Sequence, residues 1–381
     1  MKILLISTQD YIHHPVPSRH HYIFEELAKT HEVHVPHFHV SEGKERETLL
    51  HVHEATKYYT KSPLKHYLFN SPTHFKVIEE IVRDNDIDVI VTGHILAGTA
   101  AIRCGKKHNI PVVFDLKDWL PESAAAYYKS GIVKNMLRRG VWEITKYNLK
   151  HSSKIVTVSP SLVHLLKERG FESQLITNGV NTDIFVPMDG NKCRKCLGIP
   201  KDQFVIGFEG SIERFFALDK VISAMKEIVK QKANTTLLIV GGGLFTDYES
   251  ELKQQVIDLG LGDVVKFTGT VPYSHLPHYI SAMDVCCIPY ADEEWVSHSL
   301  PNKFFEYSAC GKPIISTPVP DVMSIQQGNV FPFSSYEEFV DLCLGFSTGI
   351  PEFKLDVRAY SWKKKAEEFE SIFHKLINKN Y

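Results

Sequence analysis

The chain has 381 residues, 43% of them hydrophobic and 23% charged, with a formal net charge of −2. That balance argues against a surface built to bind nucleic acid, and the length is enough for two domains with cores of their own. No apolar run reaches the length of a membrane span, and Met1-Lys2 leads into only four apolar residues before Ser7, so no secretory leader is expected. The seven cysteines, an odd number scattered along the chain, suit a reducing cytosol. Of the 20 histidines, ten fall before residue 55, including His13-His14 and His51/His53. Such pairs suit a metal, but loops and strand ends explain them as well, and no metal is expected.

In chain order, Lys2–Ser7 reads as a buried strand, followed by a polar loop to Arg19 that holds Pro15, Pro17, Ser18, Arg19 and His20. Tyr22–Lys29 reads as an amphipathic helix and Glu32–Val35 as the next strand, the opening of a parallel α/β sheet. No G-x-G-x-x-G stands at this first turn, so the dinucleotide fingerprint is absent. Arg19 is either a cation for a bound group or a solvated loop arginine. Tyr58, Tyr59, Lys61, Lys65, Tyr67 and Phe69 lie between Lys57 and Phe75. They suit a membrane interface or a carbohydrate, and equally a helix packed on its domain, the reading preferred here.

Ile87–Thr92 is a further strand, with Gly93-His94 at its end and a small-residue helix beginning near Ala97. Val112–Phe114 is another, running into Asp115-Leu116-Lys117-Asp118-Trp119-Leu120-Pro121-Glu122. Ligands of open α/β sheets lie beyond the carboxyl ends of the strands, so this loop belongs on the ligand side unless it is only a capping network. Lys129–Lys154 is basic, with Lys134, Arg138, Arg139, Lys146 and Lys150 between those ends against Glu143 alone. Ile132, Val133, Met136, Leu137, Val141 and Trp142 form its apolar side. It fits contact with anionic lipid and fits a helix covering the sheet equally well. Lys154–Ser159 reads as a strand and Ser161–Arg169 as a helix.

Cys193 and Cys196 lack the second pair that a structural zinc needs. Val205–Phe208 is a strand, followed by Glu209–Arg214 and a helix over Ala217–Val229 with one apolar side. Leu237–Val240 runs into Gly241-Gly242-Gly243, whose glycines allow close backbone approach. Val264–Val271 and Asp284–Tyr290 supply further strand segments.

The stretch from Ser297 to Thr317 reads S-H-S-L-P-N-K-F-F-E-Y-S-A-C-G-K-P-I-I-S-T. Pro301 suits the first turn of a helix, Lys303–Cys310 continue it, Gly311 stops it, and Pro313 precedes a short strand at Ile314-Ile315. A polar loop feeding a helix N-terminus is a ready anion site. Lys303 adds a cation, and Glu306 is close enough to accept hydrogen bonds from sugar hydroxyls. A phosphorylated sugar or a nucleotide fits both ends.

The run from Phe305 to Ile315, F-E-Y-S-A-C-G-K-P-I-I, resembles the signature of retaining glycosyltransferases of the GT-B fold, the large family-4 type. These group 1 enzymes of polysaccharide and glycoconjugate biosynthesis carry E-x7-E followed by E-Y/A-M-A-x-G-K-P-V-I. Thr177–Pro187 resembles their N-G-V-D-x-x-x-F-x-P passage, and Asp115–Glu122 their D-x-R/K-D-x-W-P-E loop. The likeness runs in order through nearly the whole chain.

It implies two Rossmann-like parallel-sheet domains facing a central cleft: an acceptor-side domain over 1–180 and a donor domain over 181–360. A helix within 361–381 then returns to the first domain. The implied activity is transfer of a sugar from a nucleotide diphosphate sugar to a glycan or lipid-linked acceptor, with retention and with neither metal nor cofactor. The protein would be cytoplasmic, with peripheral membrane contact through 129–154. By resemblance Glu306 binds the ribose and Lys303 the leaving diphosphate. Gly210, Ser211, Arg214, Gly242, Thr270, Val271, His298, Ser299, Leu300 and Asn302 line the donor side. Arg19, His94 and Asp118 lie on the acceptor side, and Lys117 and Asp118 join the catalytic set.

The chain departs from the family pattern in three places. His298 stands where the first acid belongs, with Glu293 and Glu294 nearby. Ser211 and Phe216 stand where an arginine and a lysine usually grip the diphosphate, leaving Arg214 as the nearest substitute. A nucleotide-sugar epimerase or hydrolase, or a non-catalytic nucleotide-binding partner subunit, are the alternative readings.

Overall fold

The computed structural model describes residues 1–378 other than 15, 42, 61–62, 126–130, 244–245, 293 and 354. Pro15, Lys61, Lys129 and Glu293 therefore lie outside the described residues, as do the side chains of Tyr67 and Glu294. The chain forms two compact units, Met1–Asn178 together with Trp362–Tyr381, and Gly179–Ser361.

The first unit is built on a seven-stranded parallel sheet. Its strands are β1 (Lys2–Ile6), β2 (Glu32–His37), β3 (His51–Glu54), β4 (Val89–Thr92), β5 (Val112–Leu116), β6 (Lys154–Thr157) and β7 (Gln174–Leu175), in the order β3-β2-β1-β4-β5-β6-β7. Helices cover both faces of such sheets, so the inner strands are near-continuous apolar runs; Ile3 to Ile6 and Val89 to Val91 are wholly buried. The edge strands β3 and β7 carry no such run. β3 reads His-Val-His-Glu and is largely exposed, which is why sequence patterning misses it.

The helix Trp362–Ile377 belongs to this unit. Trp362 stacks on Tyr22 at 5.0 Å, and Phe369 lies 6.0 Å from Phe24, ring centre to ring centre.

The second unit has six parallel strands: β8 (Phe204–Glu209), β9 (Thr235–Val240), β10 (Val265–Phe267), β11 (Val285–Ile288), β12 (Ile314–Ser316) and β13 (Val330–Pro332). Their order is β10-β9-β8-β11-β12-β13. Strand order reverses at β1/β4 in one sheet and at β8/β11 in the other, and crevices for ligands open at such switch points. The expected pair of Rossmann-like parallel sheets is present.

Two surface segments resolve the alternatives that the sequence left beside each other. The helix Pro63–Asn85 packs on its domain through Asn70, His74, Ile78, Ile81 and Val82, while Tyr58, Tyr59, Leu68 and Phe69 are largely exposed. The basic helix Gly131–His151 divides its roles. Thr145, Asn148 and Leu149 are buried, and Asn148 Nδ2 donates to the Ile95 carbonyl at 2.9 Å. Ile132 and Met136, near its start, are 76% and 70% exposed. No described helix is long and apolar enough to cross a membrane.

Candidate functional site

In the second unit, the carboxyl ends of β8, β9 and β10 meet through glycine. Gly210 has φ +127°, and a Cβ there would stand 2.9 Å from Lys303 Nζ; Gly241 has φ +131°, and a Cβ there would stand 2.0 Å from the Gly210 carbonyl oxygen. Only glycine satisfies both the backbone angle and the close approach. Gly241 N donates to the Gly269 carbonyl at 3.1 Å, and Ile212 N to the Gly242 carbonyl at 3.0 Å. These bonds draw together the segments that hold Gly210, Ser211, Gly242, Thr270 and Val271. Thr270 is exposed, and Val271 packs against the core.

The helix Asn302–Ala309 follows Pro301, which occupies the extended N-cap position rather than the first turn. All its residues from Lys303 to Ala309 are buried, charged ones included. Lys303 Nζ lies 3.5 Å from the ring centre of Phe216 and 4.5 Å from that of Phe208. Phe216 in turn stacks on Tyr290 at 5.0 Å. An ammonium over aromatic faces is attracted by their quadrupoles, more strongly when it is desolvated. The carboxyl groups of Glu306 and Glu209 lie within reach of a shared hydrogen bond, with the Tyr273 side chain beside Glu306. Glu209 closes β8, and its N–H donates to Tyr307 Oη at 2.8 Å.

Burial pushes the Lys303 pKa down to about 8, against the pull of Glu209 and Glu306. Burial, and then the neighbouring Glu209 charge, hold the Glu306 carboxyl well above its usual range. Glu209 is also raised by burial, against the field of Lys303. Two acids in contact cannot both ionise cheaply, so one of them carries the proton of their shared hydrogen bond.

The other expected cation, Arg214, is exposed. Arg214 lies over the Tyr248 ring at 4.8 Å and pairs with Glu251, both side chains largely exposed. The buried cation of this cluster is Lys303, and the Phe216 ring, at the position that resemblance gives to a lysine, lies beneath its amino group. His298 ends the turn Glu294–His298 and is half-buried. Ser299 Oγ lies 3.3 Å from Tyr290 Oη, and Leu300 is buried. Asn302 Oδ1 is buried without a hydrogen-bond partner among the described residues. Sequence reasoning missed Glu209, Phe208 and Tyr273. The one signal for Glu209 was an acid ending the buried run Phe204–Phe208, immediately before a glycine.

In the first unit, Arg19 is not a solvated loop residue. It is 3% exposed, its Nε is 2.8 Å from Asp115 Oδ2, and its Nη1 donates to the Thr177 carbonyl at 2.9 Å. His20 Nε2 meets the same carboxylate at 3.1 Å. Burial works against the Asp115 charge, but Arg19 and His20 outweigh it, and the pKa falls to about 2.

His94 caps the helix Ile95–His108, its Nδ1 accepting from Ala97 N at 3.1 Å. Burial lowers its pKa to about 3, so the ring stays neutral, as an accepting cap must. Lys117 is half-buried and Asp118 exposed, between β5 and the short helix Leu120–Ala125. Lys117 is close enough for its charge to oppose protonation of His14, His20 and His94. Part of the expected loop is thus helical, and Glu122 is taken by Arg138 at 2.5 Å.

Residues 20–184 match the family model described as Glycosyltransferase Family 4, and residues 203–346 the one described as Glycosyl transferases group 1. The chain is 26% identical over 296 residues to the GDP-mannose-dependent monoacylated alpha-(1-6)-phosphatidylinositol monomannoside mannosyltransferase of Corynebacterium glutamicum, covering 72% of this chain and 71% of that one. It is 26% identical over 217 residues to the D-inositol 3-phosphate glycosyltransferase of Mycobacteroides abscessus, covering 53% of this chain and 46% of that one. It spans about half the length of the several D-inositol 3-phosphate glycosyltransferases it matches.

Among solved structures, sucrose-phosphate synthase from Thermosynechococcus elongatus matches with a TM-score of 0.77 and 18% identity over 99% of both chains. Anabaena HepE in complex with UDP and glucose matches with a TM-score of 0.71 and 16% identity, covering 98% of this chain and 100% of that one. At these identities the likeness is one of fold, and that fold is GT-B. With the two family models together spanning most of the sequence, the chain belongs to the family-4, group 1 glycosyltransferases.

Proposed function

We propose that this protein transfers a sugar from a nucleotide diphosphate sugar to a glycan or lipid-linked acceptor, with retention and without a metal at the reacting phosphates. The observation that carries the reading is the buried Lys303–Glu209–Glu306 cluster beside the start of the helix Asn302–Ala309. A single ammonium held among two acids and two rings gains from an arriving diphosphate, which supplies the negative charge that the shared proton has removed. Preorganised charge of this kind acts where negative charge develops on the leaving phosphate. Glu306, with its raised pKa, is suited to hydrogen-bonding hydroxyls of the nucleotide sugar.

Retention and metal independence rest on family membership and the family's phosphate-assisted chemistry; no carboxylate here is assigned as a nucleophile. Two relatives inform the donor. Anabaena HepE was solved with UDP and with UDP-glucose, and the C. glutamicum relative is named as GDP-mannose-dependent. UDP and GDP sugars are therefore the first donors to test. The alternative of a non-catalytic partner rests on the missing cations at Ser211 and Phe216. Lys303, seated over Phe216, weakens it.

A lipid-linked acceptor is favoured by the exposed Ile132, Val133 and Met136 beside Lys134, Arg138 and Arg139. Apolar side chains flanked by cations suit the cytoplasmic face of an anionic membrane. Arg138→Glu/Arg139→Glu should release the protein from anionic vesicles in a sedimentation assay, and unchanged sedimentation would remove the membrane from the account. The activity itself is tested by incubating UDP- and GDP-sugars with candidate acceptors and following diphosphate release. Acceptor-dependent release that Glu306→Ala abolishes supports transfer. Release that needs no acceptor points instead to a hydrolase.

A further inference from the structure

The loop after β1 and the end of β2 gather side chains that the proposed transfer does not use. His13, His37 and His39 each offer a ring nitrogen, and the three donor atoms lie within 4.8 Å of one another. His13 Nδ1 is 3.1 Å from His37 Nε2. Asp10 Oδ1 stands 3.2 Å from His37 Nε2 and 3.7 Å from His13 Nδ1. A tetrahedral ion with nitrogen and oxygen ligands at about 2.0–2.2 Å sets its donors roughly 3.3–3.6 Å apart. The separation of His13 Nδ1 and His37 Nε2 is close to one edge of that tetrahedron. His39, whose ring centre is 4.3 Å from that of His13, brings the third donor, within 4.8 Å of the other two.

The surroundings are those of a supported ligand set. Asp10 is 2% exposed, and four backbone N–H groups fix its carboxylate: Ile12 and His13 on Oδ1, Val40 and Ser41 on Oδ2. Behind His37, Glu54 Oε2 lies 3.0 Å from Nδ1, held there by the β2–β3 register that pairs His37 with Glu54. A carboxylate on the far nitrogen is the usual partner of a metal-ligating histidine, fixing its tautomer and ring orientation.

A second histidine group at this sheet edge has a different character. His34 bonds His53 at 2.9 Å and Glu32 at 3.0 Å, but among the described residues this group does not bring three donor atoms within 4.8 Å of one another.

We propose that His13, His37 and His39 form a zinc site, with Asp10 as the buried carboxylate beside it and Glu54 as the positioning residue for His37. The ion ties the loop after β1 to the end of β2. This departs from the expectation of no metal, which could not see residues of separate segments converge. It does not rest on the proposed transfer, because the cluster belongs to the first unit and Lys303 to the second.

The test uses the full chain carrying no histidine tag. Zinc is measured by mass spectrometry after purification, then by titration of the chelator-stripped protein with Zn2+ against a chromophoric competitor. The expected result is one tightly held zinc per chain. Glu54→Gln should weaken the affinity by roughly 10- to 100-fold, and His13→Ala or His37→Ala by more. His39→Asn, at a half-buried position, serves as the variant that keeps its fold, checked by circular dichroism. Zn2+ should raise the melting temperature of the wild type and not of His39→Asn. His34→Ala and His53→Ala should retain the zinc. A wild-type protein that holds no more zinc than His39→Asn, or zinc lost with His34→Ala and His53→Ala instead, overturns the proposal.

Discussion

Each unit buries charge at the carboxyl ends of its strands, and the two clusters are balanced differently. In the first, the Asp115 carboxylate has Arg19 and His20 in direct contact, and its pKa drops to about 2. In the second, one lysine serves two acids and rests on aromatic rings. Its pKa drops to about 8 while both carboxyls rise. Opposite charges in direct contact, as in Arg19 and Asp115, hold a fold together, even though Arg19 Nη2, His20 Nδ1 and Asp115 Oδ1 are buried without hydrogen-bond partners among the described residues. A buried set whose charges are suppressed awaits a ligand, and perturbed groups of that kind concentrate at functional sites.

Substitutions should separate the two. Asp115→Ala leaves the Arg19 guanidinium buried without its partner, and breaking such a pair costs about 3–5 kcal/mol. Denaturant unfolding should register that loss, with no specific effect on nucleotide affinity. Lys303→Met, in contrast, should lower turnover by roughly 100- to 1,000-fold, as loss of a preorganised charge does. Its melting temperature should be unchanged or higher, because a buried cation has gone. If instead Lys303→Met unfolds and Asp115→Ala does not, the two roles have been exchanged.

The pH dependence sharpens the distinction. A bound diphosphate favours protonated Lys303, whose pKa in the free protein is about 8. Affinity for UDP or GDP should therefore be insensitive to this group below about pH 8. It should fall as pH rises through that value, by up to about tenfold per unit. Calorimetric titrations between neutral and alkaline pH would follow it, and Lys303→Met should flatten the curve. The smallest effect is expected at Arg214. Its pair with Glu251 is exposed, and such pairs contribute about 0–1 kcal/mol. Arg214→Ala should change both stability and nucleotide affinity only slightly; a large loss of affinity would return Arg214 to the diphosphate site.

What the sequence made legible follows the same division. Apolar runs such as Ile3–Ile6 and Leu237–Val240 revealed the inner strands, because strands buried on both faces need such runs. Pro301 and Gly311 bracketed the helix that carries Lys303 and Glu306, within one residue at its start. Edge strands β3 and β7 left no pattern, since polar and exposed residues suffice there. Arg19 looked like a loop residue until the fold brought Asp115 to it from a distant strand. Glu209 looked like a polar stop after β8, and Phe216 like a lost lysine. Both acquire meaning only when the chain returns, far along the sequence, with Lys303 and Glu306. The histidines could be counted but not grouped, because His13 meets His37 and His39 only through strand packing.

The most direct test of the central claim is nucleotide binding by the wild type beside Lys303→Met and Glu306→Gln, followed as thermal shift and calorimetry with UDP and GDP. The account predicts specific stabilisation of the wild type by one of the two diphosphates. That stabilisation should be lost in Lys303→Met and reduced in Glu306→Gln, with both variants folded. Equal binding by all three proteins, or binding of neither nucleotide by the wild type, would contradict a donor site centred on Lys303 and Glu306.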